Sequence, residues 1–279
     1  MGRAKQTLVA VAFTLVSCST PVTPAATPID QLTALRVYAT TDTAPLLYDL
    51  SAAYRQRFPH IAFEINTGSY QAMAERVLRD DGAYFFSHYL PEDIDTSQSR
   101  YWAAPVGQDA LTLLVHPDNP VANISLPQLR DVYGGSLFNW SEIGGVDRDI
   151  RVITREAGSG MQAEFGALVL GERTTTLAAQ VVPSNEAMVE SVATQPDAIG
   201  YGSLSDLTGM VRPLAVETVL PTSNSVYDST YPLRLTIYIV GRGEPLDSDY
   251  PAMRAFIGWV QSPEGQAVVA QRYAPLLRP

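Results

Sequence analysis

The chain has 279 residues, 46% hydrophobic and only 17% charged, which is enough apolar material for one or two packed domains and excludes a disordered chain. A formal net charge of -10 argues against a nucleic-acid partner and against a basic membrane-binding face. It does not argue against a small anion, because distant surface charge is screened within about 10 Å at 0.1 M salt. One cysteine, Cys18, excludes an internal disulfide and a cysteine-built zinc site, and His60, His88 and His116 show no metal-ligand spacing, so neither a metal nor a cofactor is expected.

Arg3 and Lys5 open the chain on positive charge. The apolar run from Leu8 to Val16 is shorter than the roughly 20 residues a membrane-spanning helix needs. A charged start and a short apolar run read as a signal peptide, residues 1–18. It ends on Leu15-Val16-Ser17-Cys18, which resembles a bacterial lipobox, so Cys18 is expected to carry a lipid. Residues 19–32, rich in Ser, Thr, Pro and Ala, read as an extended tether. The sequons at Asn123 and Asn139 are chance matches in an exported bacterial lipoprotein.

From residue 33 onward, short apolar strands alternate with amphipathic helices. Leu35 to Ala39 reads as a strand, and the spacing of Leu46, Leu47, Leu50, Ala53, Tyr54 and Phe58 predicts a helix. Ile61 to Ile65 is a predicted strand, and Ser69 can cap a helix carrying Met73 and Val77. Ala110 to Val115 reads as one buried strand, before the turn Pro117-Asp118-Asn119-Pro120. Ser125 can cap a helix through Leu129, Val132 and Tyr133 that stops at Gly134-Gly135. Strands are predicted at Ile150–Thr154, Ala198–Tyr201 and Leu233–Val240, and helices over about 160–170, 251–261 and 263–272. The alternation implies α/β architecture with mostly parallel sheets.

The sharpest motif is Arg155-Glu156-Ala157-Gly158-Ser159-Gly160-Met161, between a predicted strand and helix. Small residues let the unpaired N–H groups of a helix start approach a ligand, and the helix dipole favours an anion there. Arg155 can add a bidentate, charge-assisted contact and Ser159 a hydroxyl. No Gly-Lys-Ser/Thr follows, so this is not a Walker A loop, and Gly-x-Ser-x-Gly is absent. Thr40-Thr41-Asp42-Thr43 and Thr67-Gly68-Ser69 also place hydroxyls at helix starts. Each by itself is explained by plain N-capping, but all three follow strands, where open α/β sheets bind ligands.

With these motifs in place, the chain from about residue 33 onward resembles the phosphate-type periplasmic solute-binding proteins of ABC importers. The resemblance is carried by Pro105 to Leu111 with His116 to Pro120, by Leu126 to Trp140 ending in Gly134-Gly135-Ser136-Leu137-Phe138-Asn139-Trp140, and by Asn185 to Met188. Ala198 to Tyr201, Tyr231 to Arg234 and Ser262 to Gln266 complete it. It implies a type II periplasmic binding fold: two α/β lobes joined by two crossover strands, with the ligand in the cleft. Lobe one would be 33–104 plus 222–279, and lobe two 105–221. The family's anion contacts map onto Thr40, Thr41 and Ser69, then onto Arg155, Ser159, Gly160 and Met161, with His88 in the position of an acceptor.

Three residues depart from the family pattern. Met161 replaces a Thr, Ala157 replaces an Asp that orients the Arg, and His88 stands where an Asp accepts the proton of hydrogen phosphate. The implied function is capture of inorganic phosphate outside the cytoplasm and delivery to ABC permease subunits by a lipid-anchored monomer. The alternatives are another oxyanion (sulfate, molybdate or arsenate) or an anion sensor without a permease. Enzymatic activity is not expected, since no nucleophile with a base and no paired-carboxylate motif stands out. The residue left open as acceptor is His88, Asp42 or Glu156.

Overall fold

A computed structural model describes residues 32–80, 82–90, 101–246 and 250–277. The expected signal peptide, most of the tether and Cys18 lie outside the described residues.

The first sheet and its helices come from the two ends of the chain. β1 (Thr33–Thr40), α1 (Ala44–Arg57), β2 (Ile61–Glu64), β3 (Thr67–Gly68), α2 (Tyr70–Arg79) and β4 (Tyr84–Ser87) lead to the long β5 (Trp102–Ala110). Pro45 in the first turn of α1 suits a position whose N–H has no partner in any helix. Ser69 caps α2 through Ala72 N, and the helix presents Met73, Ala74 and Val77 to the core. The six strands, completed by β12 (Arg234–Gly241) near the end of the chain, are ordered β2-β1-β4-β12-β5, with β3 beside β1.

The second sheet forms from the middle of the chain. β6 (Thr112–Val115), β7 (Asn123–Ile124), α3 (Leu126–Gly134), β8 (Arg151–Arg155) and α4 (Gly160–Phe165) come first. β9 (Gln180–Val182), α5 (Asn185–Thr194), β10 (Ala198–Gly202), β11 (Arg212–Val216) and α6 (Ser223–Tyr227) follow. The strand order is β7-β11-β6-β10-β8-β9. Ser125 and Gln128 close a capping box on α3, and Gly135 ends it in the left-handed region at φ 80°, which a residue without Cβ adopts at little cost. The chain then returns to the first sheet through β12 (Arg234–Gly241), α7 (Pro251–Val260) and α8 (Pro263–Val269).

The α/β class and the two-lobed architecture hold, with three corrections in detail. The sheets are mixed rather than mostly parallel, because β12 runs antiparallel to both β4 and β5, and β6 antiparallel to both β10 and β11. Hydropathy marks a strand but not the direction in which it pairs, so the sequence does not reveal this. The predicted strand Ala110–Val115 is two strands broken at Leu111, where the chain leaves one sheet for the other. The predicted helix over 160–170 is α-helical only to Phe165 and continues as a π-helical turn over Gly166–Leu170.

Strand pairing bears on the expected lobe division. Residues 102–110 pair along their whole length with β12, from Trp102 opposite Gly241 to Ala110 opposite Arg234. The first crossing is therefore proposed at Leu111 rather than near residue 105, while the second, near residue 221, falls between β11 and β12 as expected. Separate apolar cores agree with this. One gathers Val37, Leu47, Phe86, Ile239 and Phe256, the other Leu113, Leu129, Tyr133, Phe165 and Leu214. Among the described residues no helix is long and apolar enough to cross a membrane.

Candidate functional site

β1, β3 and β4 run parallel in one sheet, β8 and β10 in the other. Their carboxyl ends release the chain toward one seam between the lobes. Thr41 and Asp42 follow β1, Ser69 follows β3, Arg155 ends β8, and Ser203 to Asp206 follow β10. Four separated stretches of sequence thus open toward the same seam because parallel strands end on the same side of a sheet.

Arg155 is the centre of the group, 3% exposed. Its Nε donates to Glu156 Oε2 at 2.9 Å and its Nη2 to Glu156 Oε1 at 3.2 Å. Nη1 donates to Asp42 Oδ1 at 2.9 Å and to Asn185 Oδ1, and Nη2 reaches Thr41 Oγ1 at 3.4 Å. Five contacts occupy the five N–H donors of a guanidinium. Burial works against the charge on Arg155, but Glu156 and Asp42 more than offset it, so its pKa stands above the ordinary value. The Arg155 side chain spans the seam: its strand and Asn185 belong to the second lobe, Thr41 and Asp42 to the first.

The neighbours hold this arrangement. Tyr201, buried on β10, exchanges a hydrogen bond with Thr154 Oγ1 at 2.9 Å and accepts one from Arg155 N at 3.1 Å, which fixes the end of β8. Gly158 adopts φ 90°, and a Cβ on Gly160 would stand 3.3 Å from that of Tyr89 and 3.5 Å from that of Tyr70. The small residues of the loop therefore let it press against the first lobe. Ser159 caps α4, accepting from Gln162 N at 3.4 Å.

The residues singled out by sequence divide into groups. Thr41, Arg155, Ser159 and Gly160 stand at the seam, with Ser69 at the start of α2. Thr40 is buried at the end of β1, its hydroxyl 3.0 Å from that of Thr43. Met161 turns its side chain into the core of the second lobe, so the hydroxyl missing there is replaced by apolar packing. His88 pairs with Asp109 rather than with Arg155: its Nε2 lies 2.9 Å from Asp109 Oδ2 on β5. Asp109 also accepts from Ser203 Oγ at 2.5 Å, Leu204 N at 3.0 Å and Ala110 N at 2.7 Å. Burial disfavours charge on His88, but Asp109, with Asp42 and Glu164 farther off, outweighs it and raises its pKa. His88 Nδ1 is buried without a hydrogen-bond partner.

Two members of the group were not singled out as contacts by sequence reasoning, Asn185 and Asp206, whereas Asp42 was one of the candidate acceptors. Asp42 lies within the first motif and Asn185 within a stretch that carries the family resemblance. Asp206 has no local signal. Among the described residues no cluster of three or more His, Cys, Asp or Glu could hold a metal. A cavity of about 290 Å³ beside Phe138 and Arg151 on the second lobe shares no residue with the Arg155 group and holds no buried charge. A cavity of about 280 Å³ lined by His88, Tyr89, Glu164 and Arg234 lies closer to the seam.

Known proteins share this arrangement of lobes. The phosphate-binding protein PstS of Borreliella burgdorferi is 27% identical over 175 residues, covering 59% of this chain and 62% of its own length. PstS of Bacillus subtilis is 28% identical over 165 residues, 58% of this chain and 53% of its own. The chain thus matches less than two thirds of the length of these curated relatives. Among solved structures, a phosphate ABC transporter substrate-binding protein from Clostridium perfringens with bound phosphate superposes with a TM-score of 0.81 at 25% identity. That match covers 88% of this chain and all of the other. A phosphate transport receptor from Vibrio cholerae gives 0.70 at 25% identity, over 86% and 99%. The family model of the PBP superfamily domain matches residues 21–264, so a two-lobed chain with its polar group at the seam belongs to the periplasmic binding protein superfamily.

Proposed function

We propose that the protein captures inorganic phosphate, or a closely related oxyanion, in the seam between its lobes and passes it to an ABC permease. The observation that carries this reading is Arg155. It is a buried guanidinium on one lobe whose donors reach Thr41 and Asp42 of the other, so an anion that displaces one of its present partners would touch both lobes. The hydroxyls of Thr41, Ser69 and Ser159 are the further donors in this reading. Similarity to phosphate-binding proteins over about 60% of the chain supports the choice of phosphate. Lipid attachment at Cys18 would hold the binding protein beside its permease, and no catalytic step is assigned to the site.

Asp42 takes the part of the acceptor. A carboxylate only accepts hydrogen bonds, so it favours an oxyanion that still carries a proton and repels one that does not. Phosphate keeps a proton at neutral pH and sulfate does not. Calorimetry of the full chain in detergent against phosphate, sulfate, arsenate and molybdate tests the reading. Phosphate and arsenate should bind and sulfate should not, and Asp42→Asn should bring the phosphate and sulfate affinities within about tenfold of each other, a difference of about 1.4 kcal/mol. Absence of heat with all four anions would refute anion capture. A preference unchanged in Asp42→Asn would remove Asp42 from the acceptor role.

A further inference from the structure

Behind Arg155 the hydrogen bonds continue inward. Asn185 Oδ1 accepts from Arg155 Nη1, and Asn185 Nδ2 donates to Asp206 Oδ2 at 2.8 Å. Ser203 N donates to the same oxygen at 2.7 Å. Because Asp206 can only accept from that amide, it decides which way Asn185 points, and so which atom Arg155 meets. Asp206 is partly exposed as a residue, but its carboxylate is packed over Gly202, where a Cβ would stand 2.4 Å from Oδ2. Gly202 is the opening that admits it.

The charges around this carboxylate are unbalanced. Asp42 faces it from the loop after β1 and Asp109 from β5, the latter already paired with His88. Arg155 on β8 reaches it only through Asn185, while engaging Asp42 and Glu156 directly. Tyr273, past the end of α8, also lies within range of its charge and stays neutral. Asp42, Glu156 and Asp206 are three carboxylates gathered around one guanidinium. An anion brought to Arg155 adds negative charge to a cluster already rich in it, and the cheapest relief is a proton on the carboxylate that has no cation of its own.

Resting on the reading of the site as an anion receptor, we propose that Asp206 is its positioning residue and proton partner, taking up a proton as the anion binds. Burial, reinforced by the charges of Asp42 and Asp109, pushes the Asp206 pKa up to about 7, against the pull of Ser203 N and Asn185. It therefore titrates where a bound anion can tip it. By linkage, an anion that raises this pKa binds more tightly when Asp206 is already protonated, and a shift of one unit corresponds to about a tenfold change in affinity.

The test is calorimetry of the full chain in detergent with inorganic phosphate at pH 5.5 and pH 8.5, for wild type and Asp206→Asn. Phosphate titrates over this range, but identically for both proteins, so the ratio of their affinities isolates Asp206. The ratio should be near one at pH 5.5, and Asp206→Asn should bind about tenfold more tightly at pH 8.5. Infrared difference spectra of the wild type at pH 7.5 should gain a protonated-carboxyl band on addition of phosphate, a readout that needs no variant. Phosphate binding with a pH-independent ratio, or with no such band, overturns the proposal and leaves anion capture standing. Absence of phosphate binding in the wild type at either pH overturns both.

Discussion

Replacing Arg155 with alanine should cost stability as well as binding. Asp42 is 2% exposed, and the hydrogen bond from Arg155 Nη1 is its ion-pair contact across the seam. Removing one partner of a buried pair leaves an uncompensated charge, at a cost of about 3–5 kcal/mol. Glu156 adds little to this, because its side chain is 31% exposed and rehydrates. Asn185 Oδ1 also loses a donor, about 1–3 kcal/mol if water does not replace it. Taking the Asp42 term alone at about 2–4 °C per kcal/mol, the thermal midpoint of Arg155→Ala should fall by roughly 10 °C. Removing the stranded charge as well should recover much of the loss, so Arg155→Ala/Asp42→Asn should be more stable than Arg155→Ala. Thermal unfolding of the four proteins without added anion, at neutral pH, closes the double-mutant cycle, with an expected coupling of about 1–3 kcal/mol. A wild-type midpoint in Arg155→Ala, or strictly additive effects in the double variant, would refute the cross-seam ion pair.

Two further predictions concern the ends of the same design. Cys18→Ala should move the exported protein from the membrane pellet to the soluble fraction, since two acyl chains suffice for stable anchoring and the rest of the tether supplies none; a variant that still pellets would exclude lipid attachment there. His88, whose pKa is raised in the folded state, should contribute stability that is complete below its ordinary value of 6.5 and is lost as pH rises through the folded value. Unfolding midpoints of wild type and His88→Gln between pH 5.5 and 8.5 should therefore converge toward high pH, and parallel curves would show that the His88–Asp109 pair does not titrate in this range.

Much of this molecule follows from local sequence. The spacing of Leu46, Leu47, Leu50 and Tyr54 marks the buried face of α1, and Ser69, Ser125 and Ser159 cap helices where their hydroxyls precede an apolar repeat. These features depend on neighbours three or four residues away, so the chain itself carries them. Arg155 and the Gly-Ser-Gly turn are equally local. The break at Leu111 is not, because two apolar strands in succession look like one until they pair with different sheets.

The acceptor shows the boundary most sharply. By position in the sequence His88 stood where an acceptor was expected, and nothing local to Asp42 distinguished it from Glu156. Packing decides only part of this, since both Asp42 and Glu156 meet Arg155. β5 brings Asp109 beside His88 and satisfies its Nε2, while the turn after β1 carries Asp42 across the seam to Arg155. Asp109 is 21 residues from His88, and Asp42 is 113 from Arg155. Hydropathy and spacing report what lies within a few residues, so they identify groups able to bind an anion. Which distant carboxylate meets the guanidinium is decided only when the parallel strands of both sheets end on the same seam.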